Sequence, residues 1–366
     1  LPAVPKIFHG RDSELQAIVS MLCQESARIA ILGAGGMGKT SLAKAALHHP
    51  DVTSKYKECF FVPCDSATSS IEMAALIGAH IGLTPAKDLT KAVVQYFNGK
   101  PACLLTLDNL ETTWEPLNSR NGVEELLSLL TGVQHLALII TMRGAERPAK
   151  VFWTHPFLPP LRPLPYDAAH QTFLDIVDHV YAAEDIKQLL HLTDNMPLAV
   201  DLIAHLVDYE GITSVLSRWE TEKTSMLSVG HDRRSNLDAS ITMSLSSPRM
   251  TSGARSLLSL LSILPDGLSN IELLQSHLPI QNILASKAVL LATSLAYSDD
   301  KKRLKCLVPI REHMLLSHPA TQPLIQPLEK HFHMLLDLYQ RYGGSVHITD
   351  TINQITENLG NLSQIL

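Results

Sequence analysis

The residues whose types and spacing most clearly imply chemistry lie in one segment near the N-terminus. Residues 33–40 read GAGGMGKT and directly follow the apolar run 29–32, so they satisfy the phosphate-binding pattern G-x-x-x-x-G-K-[ST] at every position. Glycines let backbone N–H groups turn inward around an anion, because they accept positive φ and carry no Cβ. The segment predicts a nucleotide site formed by Gly33, Gly35, Gly36, Met37, Gly38, Lys39, Thr40 and Ser41.

Three polar groups are expected to act on the phosphates and their metal. Lys39 is expected to reach the β- and γ-phosphates, and the Thr40 hydroxyl to hold Mg²⁺. Asp108 ends the continuous apolar run 102–107, which is typical of a strand buried on both faces. In P-loop proteins an acid at this position holds Mg²⁺, although a strand-ending Asp alone is more often a turn or cap residue. Lys39 and Asp108 are therefore predicted as catalytic, and Thr40 and Asp108 as metal ligands.

Arg143 is the third residue predicted to be catalytic. It follows closely after the buried apolar run 136–141. Ligands of parallel α/β sheets bind at the carboxyl ends of the strands. Arg143 is therefore expected on the nucleotide side, with a solvated loop arginine as the alternative.

Alternating strands and helices must position these residues. The patterns predict strands at 29–32, 59–63, 102–107 and 136–141, with helices at 70–81, 89–97 and 122–130 between them. Such alternation is typical of a doubly wound parallel sheet of the α/β class.

The second half of the chain is predicted to be mostly helical. Five prolines between 156 and 165 indicate a boundary, and helices are expected at 167–181, 184–192, 197–209 and 212–226. The polar segment 230–236 then precedes further helices, including one at 283–288. Two strand-like runs, 291–297 and 304–308, flank a charged turn and suggest a winged helix. The predicted domains are 1–157 (P-loop), 158–232 (helical), 233–320 (winged helix) and 321–366 (the start of helical repeats, with a break at Gly343-Gly344).

Composition limits the classes of function. With 45% hydrophobic and 18% charged residues the chain is globular, and its net charge of −6 provides no large basic field for nucleic acid or anionic lipid. No apolar run reaches the ~18 residues of a membrane span. Five cysteines without a C-x-x-C pair predict free thiols in a reducing, cytoplasmic compartment. The chain begins without Met and ends inside a helical pattern, so we expect a fragment whose targeting signals lie outside it.

The order of these parts resembles the signal-transduction NTPases with numerous domains (STAND). Within them it is similar to the NB-ARC branch of plant resistance proteins and the apoptosome scaffold, and closest to fungal members ending in tetratricopeptide arrays. PKIFHGRDSEL (5–15) resembles the segment that wraps adenine, which implies contacts from Phe8 and Arg11. LLTLDNLE (104–111) and ITMRG (140–144) resemble the Walker B and sensor-1 segments, which makes Arg143 the γ-phosphate reader. NMPLA (195–199) resembles the G-L-P-L-A motif, whose proline, here Pro197, packs on adenine.

Three positions depart from the family pattern. Asn109 stands where many relatives carry a second acid, so the usual base for water activation is missing; Glu111 would substitute only if the strand ends before it. Asn195 replaces a glycine, which is mild because Asn tolerates positive φ. VPIREHM (308–314) falls where the family carries M-H-D, the latch on the ADP β-phosphate, and either Arg311 or His313 is the candidate contact. The alternative is that Arg311 and His313 are both surface residues at the start of a helix.

The resemblance implies an ATP/ADP-controlled signalling switch that binds ADP and Mg²⁺ when off and forms homo-oligomers on exchange for ATP. Roles in innate defence or programmed cell death follow from the resemblance alone, and hydrolysis is expected to be slow. A P-loop kinase or phosphohydrolase of a small substrate is one alternative, but no arginine-rich lid is evident. A winged-helix transcription regulator is another, but the candidate recognition helix 283–288 carries only Lys287 as a basic residue.

Overall fold

The computed structural model describes residues 1–24, 26–84, 88–227, 236–342 and 348–366. The chain forms two compact units. The first unit comprises Leu1–His191 and Asn195–Ile212, and the second comprises Leu192–Asp194 and Thr213–Leu366. The predicted boundary at 232/233, most of the polar segment 230–236, and the break at 343–344 lie outside the described residues.

A parallel four-stranded sheet forms the centre of the first unit. Its strands are β1 (Arg28–Gly33), β2 (Glu58–Pro63), β3 (Cys103–Asp108) and β4 (Leu136–Arg143), in the order β1-β4-β3-β2. The central strand β3 is buried at every residue, which is what a continuous apolar run produces when both sheet faces are covered. The four strands predicted in the first half of the chain and the α/β class are confirmed.

Helices of the first unit connect and cover these strands. They are α1 (Asp12–Leu22), α2 (Lys39–Leu47), α3 (Pro50–Lys55), α4 (Ser70–His80), α5 (Leu89–Asn98), α6 (Glu111–Trp114), α7 (Leu117–Thr131), α8 (Tyr166–Leu174), α9 (Ala183–Thr193), whose C-terminal end belongs to the second unit, and α10 (Pro197–Glu210). α2 packs against β1 and β4, and α7 packs against β4. The sheet core therefore holds the loops at the strand ends on a rigid base.

The proline-rich segment after residue 150 covers the outer edge of β1. Thr154 N donates to Arg28 O at 2.9 Å, and Leu161 N donates to Leu32 O at 2.8 Å. Leu161 also forms a parallel bridge with Gly33, where the phosphate loop begins. The sequence predicts a domain boundary here; the structure adds that the segment satisfies backbone groups of β1 that would otherwise form an open edge.

The second unit is mostly helical. It contains most of α11 (Ile212–Glu222), then α12 (Leu237–Leu245), α13 (Ser252–Ser262), α14 (Asn270–Gln275), α15 (Ile283–Ala292), β5 (Tyr297–Ser298), β6 (Leu304–Lys305), α16 (Val308–Ser317), α17 (Gln322–Tyr342), α18 (Ile348–Thr356) and α19 (Leu359–Ile365). α13 packs against α15 and α16, and β5 pairs antiparallel with β6. The winged-helix assignment and the four-domain division stay predictions.

Three predicted elements are wrong in extent. The predicted strand 304–308 is extended only at Leu304–Lys305, and α16 begins at Val308. The predicted strand 291–297 is helical at its start, because α15 continues to Ala292 and only Tyr297–Ser298 is extended. Short apolar runs fit helix and strand equally well by periodicity, and here the run beginning at Ile283 forms one helix. The predicted helix 167–181 ends at Leu174, where α8 stops.

Candidate nucleotide site

The phosphate loop lies between β1, which ends at Gly33, and α2, which begins at Lys39. Gly36 and Gly38 have φ values of 78° and 81°, in the left-handed region that favours glycine. Gly38 is the N-cap of α2 and offers no side-chain cap. The first N–H groups of α2 therefore retain their capacity to bind an anion, and the helix dipole favours negative charge there.

Lys39 is buried against the loop that precedes it. Its Nζ donates to Gly33 O at 3.0 Å and to Ala34 O at 2.7 Å, and the residue is 7% exposed. Burial lowers the pKa of Lys39 to about 8, against the opposing attraction of the Glu111 and Asp108 carboxylates. The ammonium thus lies in the loop with two acids close enough to affect its charge.

Asp108 and Thr40 meet directly beneath this loop. Asp108 is fully buried, and its Oδ1 accepts hydrogen bonds from Thr40 Oγ1 at 2.8 Å and Thr141 Oγ1 at 2.5 Å. Its Oδ2 is buried and has no hydrogen-bond donor within the described part of the chain. A buried carboxylate oxygen without a donor, next to a hydroxyl oxygen, is a set of hard ligands that fits Mg²⁺.

The small number of protein ligands, Asp108 and Thr40, also fits magnesium. Among the described residues, no group of three or more His, Cys, Asp or Glu side chains could hold a metal. Mg²⁺ in nucleotide enzymes is usually held by one or two carboxylates together with substrate phosphates and water. A site with Asp108 and Thr40 therefore suits magnesium bound with a nucleotide better than a metal bound by protein alone.

Arg143 is placed beside the loop by the sheet register. It pairs with Gly33 across β1 and β4, and the neighbouring Gly144 exchanges two backbone hydrogen bonds with Gly33. The Arg143 backbone N and Nε each donate to a different carboxylate oxygen of Glu111, both at 3.2 Å. Arg143 therefore emerges on the side of the sheet that sequence predicts, where it forms an ion pair with a buried glutamate.

Glu111 reaches this place because β3 ends early. Asp108 is the last strand residue, Asn109 adopts a left-handed φ of 59°, and α6 begins at Glu111. The chain thus turns back at the carboxyl end of the sheet, and Glu111 is only 6% exposed. The condition under which the sequence allows Glu111 to act, a strand that has already ended, is met.

Two segments contact the loop on the side expected to hold adenine. Arg11 is 4% exposed, and its guanidinium donates to Met37 O at 3.2 Å and to the Arg162 carbonyl at 2.6 Å. Phe8 is partly buried in the same lead-in segment. Arg11 therefore ties this segment to the phosphate loop, while contacts of Phe8 and Arg11 with adenine stay a prediction.

The second segment is the start of α10. Leu198 N donates to Gly36 O at 3.1 Å, and Pro197 occupies the first turn of this helix. Asn195 has a φ of 53°, in the left-handed region that the sequence predicts Asn to tolerate there. The structure brings Pro197 to the phosphate loop, and its packing on adenine stays a prediction.

Arg311 and His313 belong to the second unit. Arg311 Nε donates to Ser262 O at 3.1 Å, and His313 Nδ1 lies 2.8 Å from Asp238 Oδ1. His313 is 9% exposed, so the alternative of a surface residue does not hold for it. A contact of either residue with phosphate stays a prediction.

Sequence reasoning misses Thr141. Its hydroxyl donates to Asp108 Oδ1 and accepts a hydrogen bond from the Asn109 backbone N at 3.1 Å. Its signal is a single polar residue at the end of an otherwise apolar strand. A buried hydroxyl needs a partner, and the acid on the neighbouring strand is the nearest candidate. The positioning of Asp108 was therefore accessible from the sequence in principle.

The comparisons with known proteins agree with this geometry. Residues 2–149 match the family model described as Novel STAND NTPase 1. This range includes the phosphate loop, Asp108 and Arg143. No curated protein sequence matches the chain. The STAND resemblance is supported for this range, and the finer likeness to the NB-ARC branch stays a prediction.

Solved structures support the fold. A Walker-type ATPase of Pyrococcus abyssi is similar with a TM-score of 0.61 at 15% identity, covering 86% of this chain and 98% of that one. A STAND protein with a tetratricopeptide repeat sensor from Pyrococcus horikoshii has a TM-score of 0.40 at 15% identity. The alignment covers 98% of this chain and 52% of that protein. The ORC2 protein of Aeropyrum pernix, solved with ADPNP and ADP, has a TM-score of 0.48 at 14% identity over 90% and 97%. The first likeness supports the P-loop NTPase fold.

Proposed function

We propose that the chain is an ATP/ADP-controlled switch that binds its nucleotide with Mg²⁺ at the phosphate loop. The observation that carries the proposal is the meeting of Thr40 and Asp108 at 2.8 Å beneath the loop, with Asp108 Oδ2 lacking a donor among the described residues. A plain glycine-rich turn has no need of a buried acid at this place. Together with the buried Lys39, these groups form the full set that binds a nucleoside phosphate and its metal.

Each residue has a separate role in this proposal. Lys39 binds the β- and γ-phosphates, and the N–H groups of the loop and α2 surround the phosphate oxygens. Thr40 and Asp108 would hold Mg²⁺, which would supply positive charge against the phosphate oxygens. Arg143 recognises the γ-phosphate, because it ends β4 at the carboxyl edge of the sheet, directly opposite Gly33 of the loop.

A switch is favoured over a fast catalyst by the residue at position 109. Asn109 is neutral and cannot accept a proton as a carboxylate does, and its Nδ2 donates to Asp65 Oδ1 at 2.6 Å. We expect turnover far below the ~1–100 s⁻¹ of ordinary kinases. In this proposal ADP marks the off state, exchange for ATP permits homo-oligomerisation, and signalling in defence or cell death uses sensor and effector regions elsewhere.

The location and partners proposed are those of a cytoplasmic protein that takes a nucleotide as its ligand. None of the helices in the described ranges has both the length and the apolar character needed to span a membrane. All five cysteines lie within these ranges, and none forms a disulfide.

The test is to denature the purified protein and identify any released nucleotide by chromatography. We expect ADP in near-stoichiometric amount, because loop, lysine and metal ligands are all preassembled. A folded protein that releases no nucleotide and shows no thermal shift with ADP or ATP would contradict the proposal.

A further inference from the structure

We infer that Glu111 is the general base for the slow ATP hydrolysis expected of this chain, from a position two residues beyond the one where the usual acid is missing. The inference rests on the proposed function, since it requires ATP at the phosphate loop. It assigns a catalytic role to a residue outside the usual position, on geometry that the sequence alone does not determine.

The topology places Glu111 between the phosphate loop and the metal ligand. The sheet order is β1-β4-β3-β2, so β4 lies between β1, which carries the loop, and β3, which carries Asp108. Glu111 binds both the backbone and the side chain of Arg143, the last residue of β4. Its carboxylate therefore lies at the end of the strand that separates the two parts of the site.

Glu111 is buried and held in place, yet its carboxylate can still accept a proton. It is 6% exposed, and its Oε1 forms an ion pair with Arg143 Nε at 3.2 Å. A carboxylate has about four lone-pair positions, and the two bonds from Arg143 occupy only part of them. Arg143 thus positions the group without using up its capacity to accept a proton from water.

The competing acid, Asp65, lies farther from the loop. It follows β2, the edge strand, which is three strand positions from β1 and hence roughly 14 Å away at the usual spacing. Its Oδ1 accepts the Asn109 side-chain amide. Asp65 therefore holds the Asn109 side chain, and it belongs to the strand farthest from the loop.

The step proposed is the ordinary hydrolysis of a phosphoanhydride. Glu111 accepts a proton from water while the water oxygen forms a bond to the γ-phosphorus. The bond between that phosphorus and the β,γ-bridging oxygen breaks, and its electron pair leaves with ADP. The proton then passes from Glu111 to the released inorganic phosphate.

The experiment compares the wild type with Glu111→Gln and Asp65→Asn. Binding is measured with a fluorescent ADP analogue, and the chemical step by single-turnover cleavage of radiolabelled ATP. Loss of a general base costs ~10²–10⁴-fold. We expect Glu111→Gln to bind nucleotide within about threefold of wild type yet cleave ATP at least ~100-fold more slowly, while Asp65→Asn cleaves at nearly the wild-type rate.

Several outcomes would overturn the assignment: cleavage by Glu111→Gln at the wild-type rate, a loss of binding equal to the loss of cleavage, or a slow Asp65→Asn. A wild type that binds ATP and never cleaves it would overturn it too. If Glu111→Gln does not fold, Glu111→Asp carries the same comparison, because it keeps the charge facing Arg143 and shortens the reach to water. Failure of the wild type to bind any nucleotide would instead defeat the proposed function.

Discussion

Lys39 and Asp108 act on one nucleotide through different contacts, and this difference can be measured. Lys39 is a cation in the loop itself, within reach of any phosphate that the loop binds. Asp108 repels phosphate by its charge and is useful only through a cation, for which its Oδ2 has the right position beside Thr40. The first residue should therefore matter with or without metal, and the second only with it.

The prediction is a different magnesium dependence for Lys39→Ala and Asp108→Asn. A hydrogen bond to a charged group contributes about 1.5–3 kcal/mol, so Lys39→Ala should weaken ADP by at least about tenfold in EDTA and in magnesium. Asp108→Asn, which keeps an oxygen for the Thr40 and Thr141 hydroxyls, should weaken ADP only when magnesium is present. Isothermal titration in both buffers makes the comparison.

Equal losses for the two variants in EDTA would contradict these roles. A loss for Asp108→Asn that is independent of magnesium would indicate a structural role for its carboxylate and no metal.

The sequence predicted which residues belong to the site better than it predicted how they are placed. The loop pattern and the strand-ending Asp108 follow directly from residue type and apolar runs, because each run is long enough to be a buried strand. The role of Glu111 depends on a single φ angle at Asn109, which places the chain beyond β3. The spacing of apolar residues does not reveal such an angle. The sequence could therefore say that Glu111 acts only if the strand ends before it, but not whether the strand does end there.

At the scale of elements, the phosphate loop is held between β1 and the start of α10. A Cβ added at Gly36 would lie 2.9 Å from Met196 Cε and 3.0 Å from Leu198 Cβ, whereas one added at Gly38 would meet no atom within 4 Å. Both glycines have positive φ. The two positions therefore share the same backbone strain, and only Gly36 is also packed against another element.

We predict that Gly36→Ala destabilises the nucleotide-free protein more than Gly38→Ala does. Alanine in the left-handed region costs about 1–2 kcal/mol, and this cost applies to both variants. Overpacking adds about 1–3 kcal/mol, and this cost applies to Gly36→Ala alone. Chemical denaturation of both variants measures the difference, with Gly38→Ala as the matched control.

If Gly36→Ala and Gly38→Ala are equally stable, α10 can shift away from the loop without loss of stability. Its contact with the loop would then not constrain the loop. The strands and this helix start were predictable from composition and from Pro197. The extent of α15 was not, because its apolar run suits helix and strand alike and only tertiary packing decides between them.

At the scale of the whole molecule, the proposed switch divides its nucleotide preference between the two units. Arg143 in the first unit should favour ATP, since it ends the strand next to the loop. Arg311 or His313 in the second unit should favour ADP, if one of them is the latch that the family resemblance implies. A ligand shifts such an equilibrium only by its differential affinity for the two states.

The last prediction is that these variants change assembly in opposite directions. Arg143→Ala should keep ADP and lose the assembly induced by a non-hydrolysable ATP analogue. Arg147→Ala is the matched control, because Arg147 lies in the same segment but donates to Leu158 O and stacks on Phe157. Its assembly should equal that of the wild type.

Truncation of the latch, in Arg311→Ala or His313→Ala, should speed ADP release and promote assembly without a trigger. His313 is held by Asp238 and Arg311 by the Ser262 carbonyl, so each variant also removes a contact inside the second unit. Melting temperature must therefore be compared alongside gel filtration with ADP and with the ATP analogue. If both variants fold and neither alters ADP release or oligomer size, the latch assignment is wrong, and control by nucleotide must come from the first unit alone.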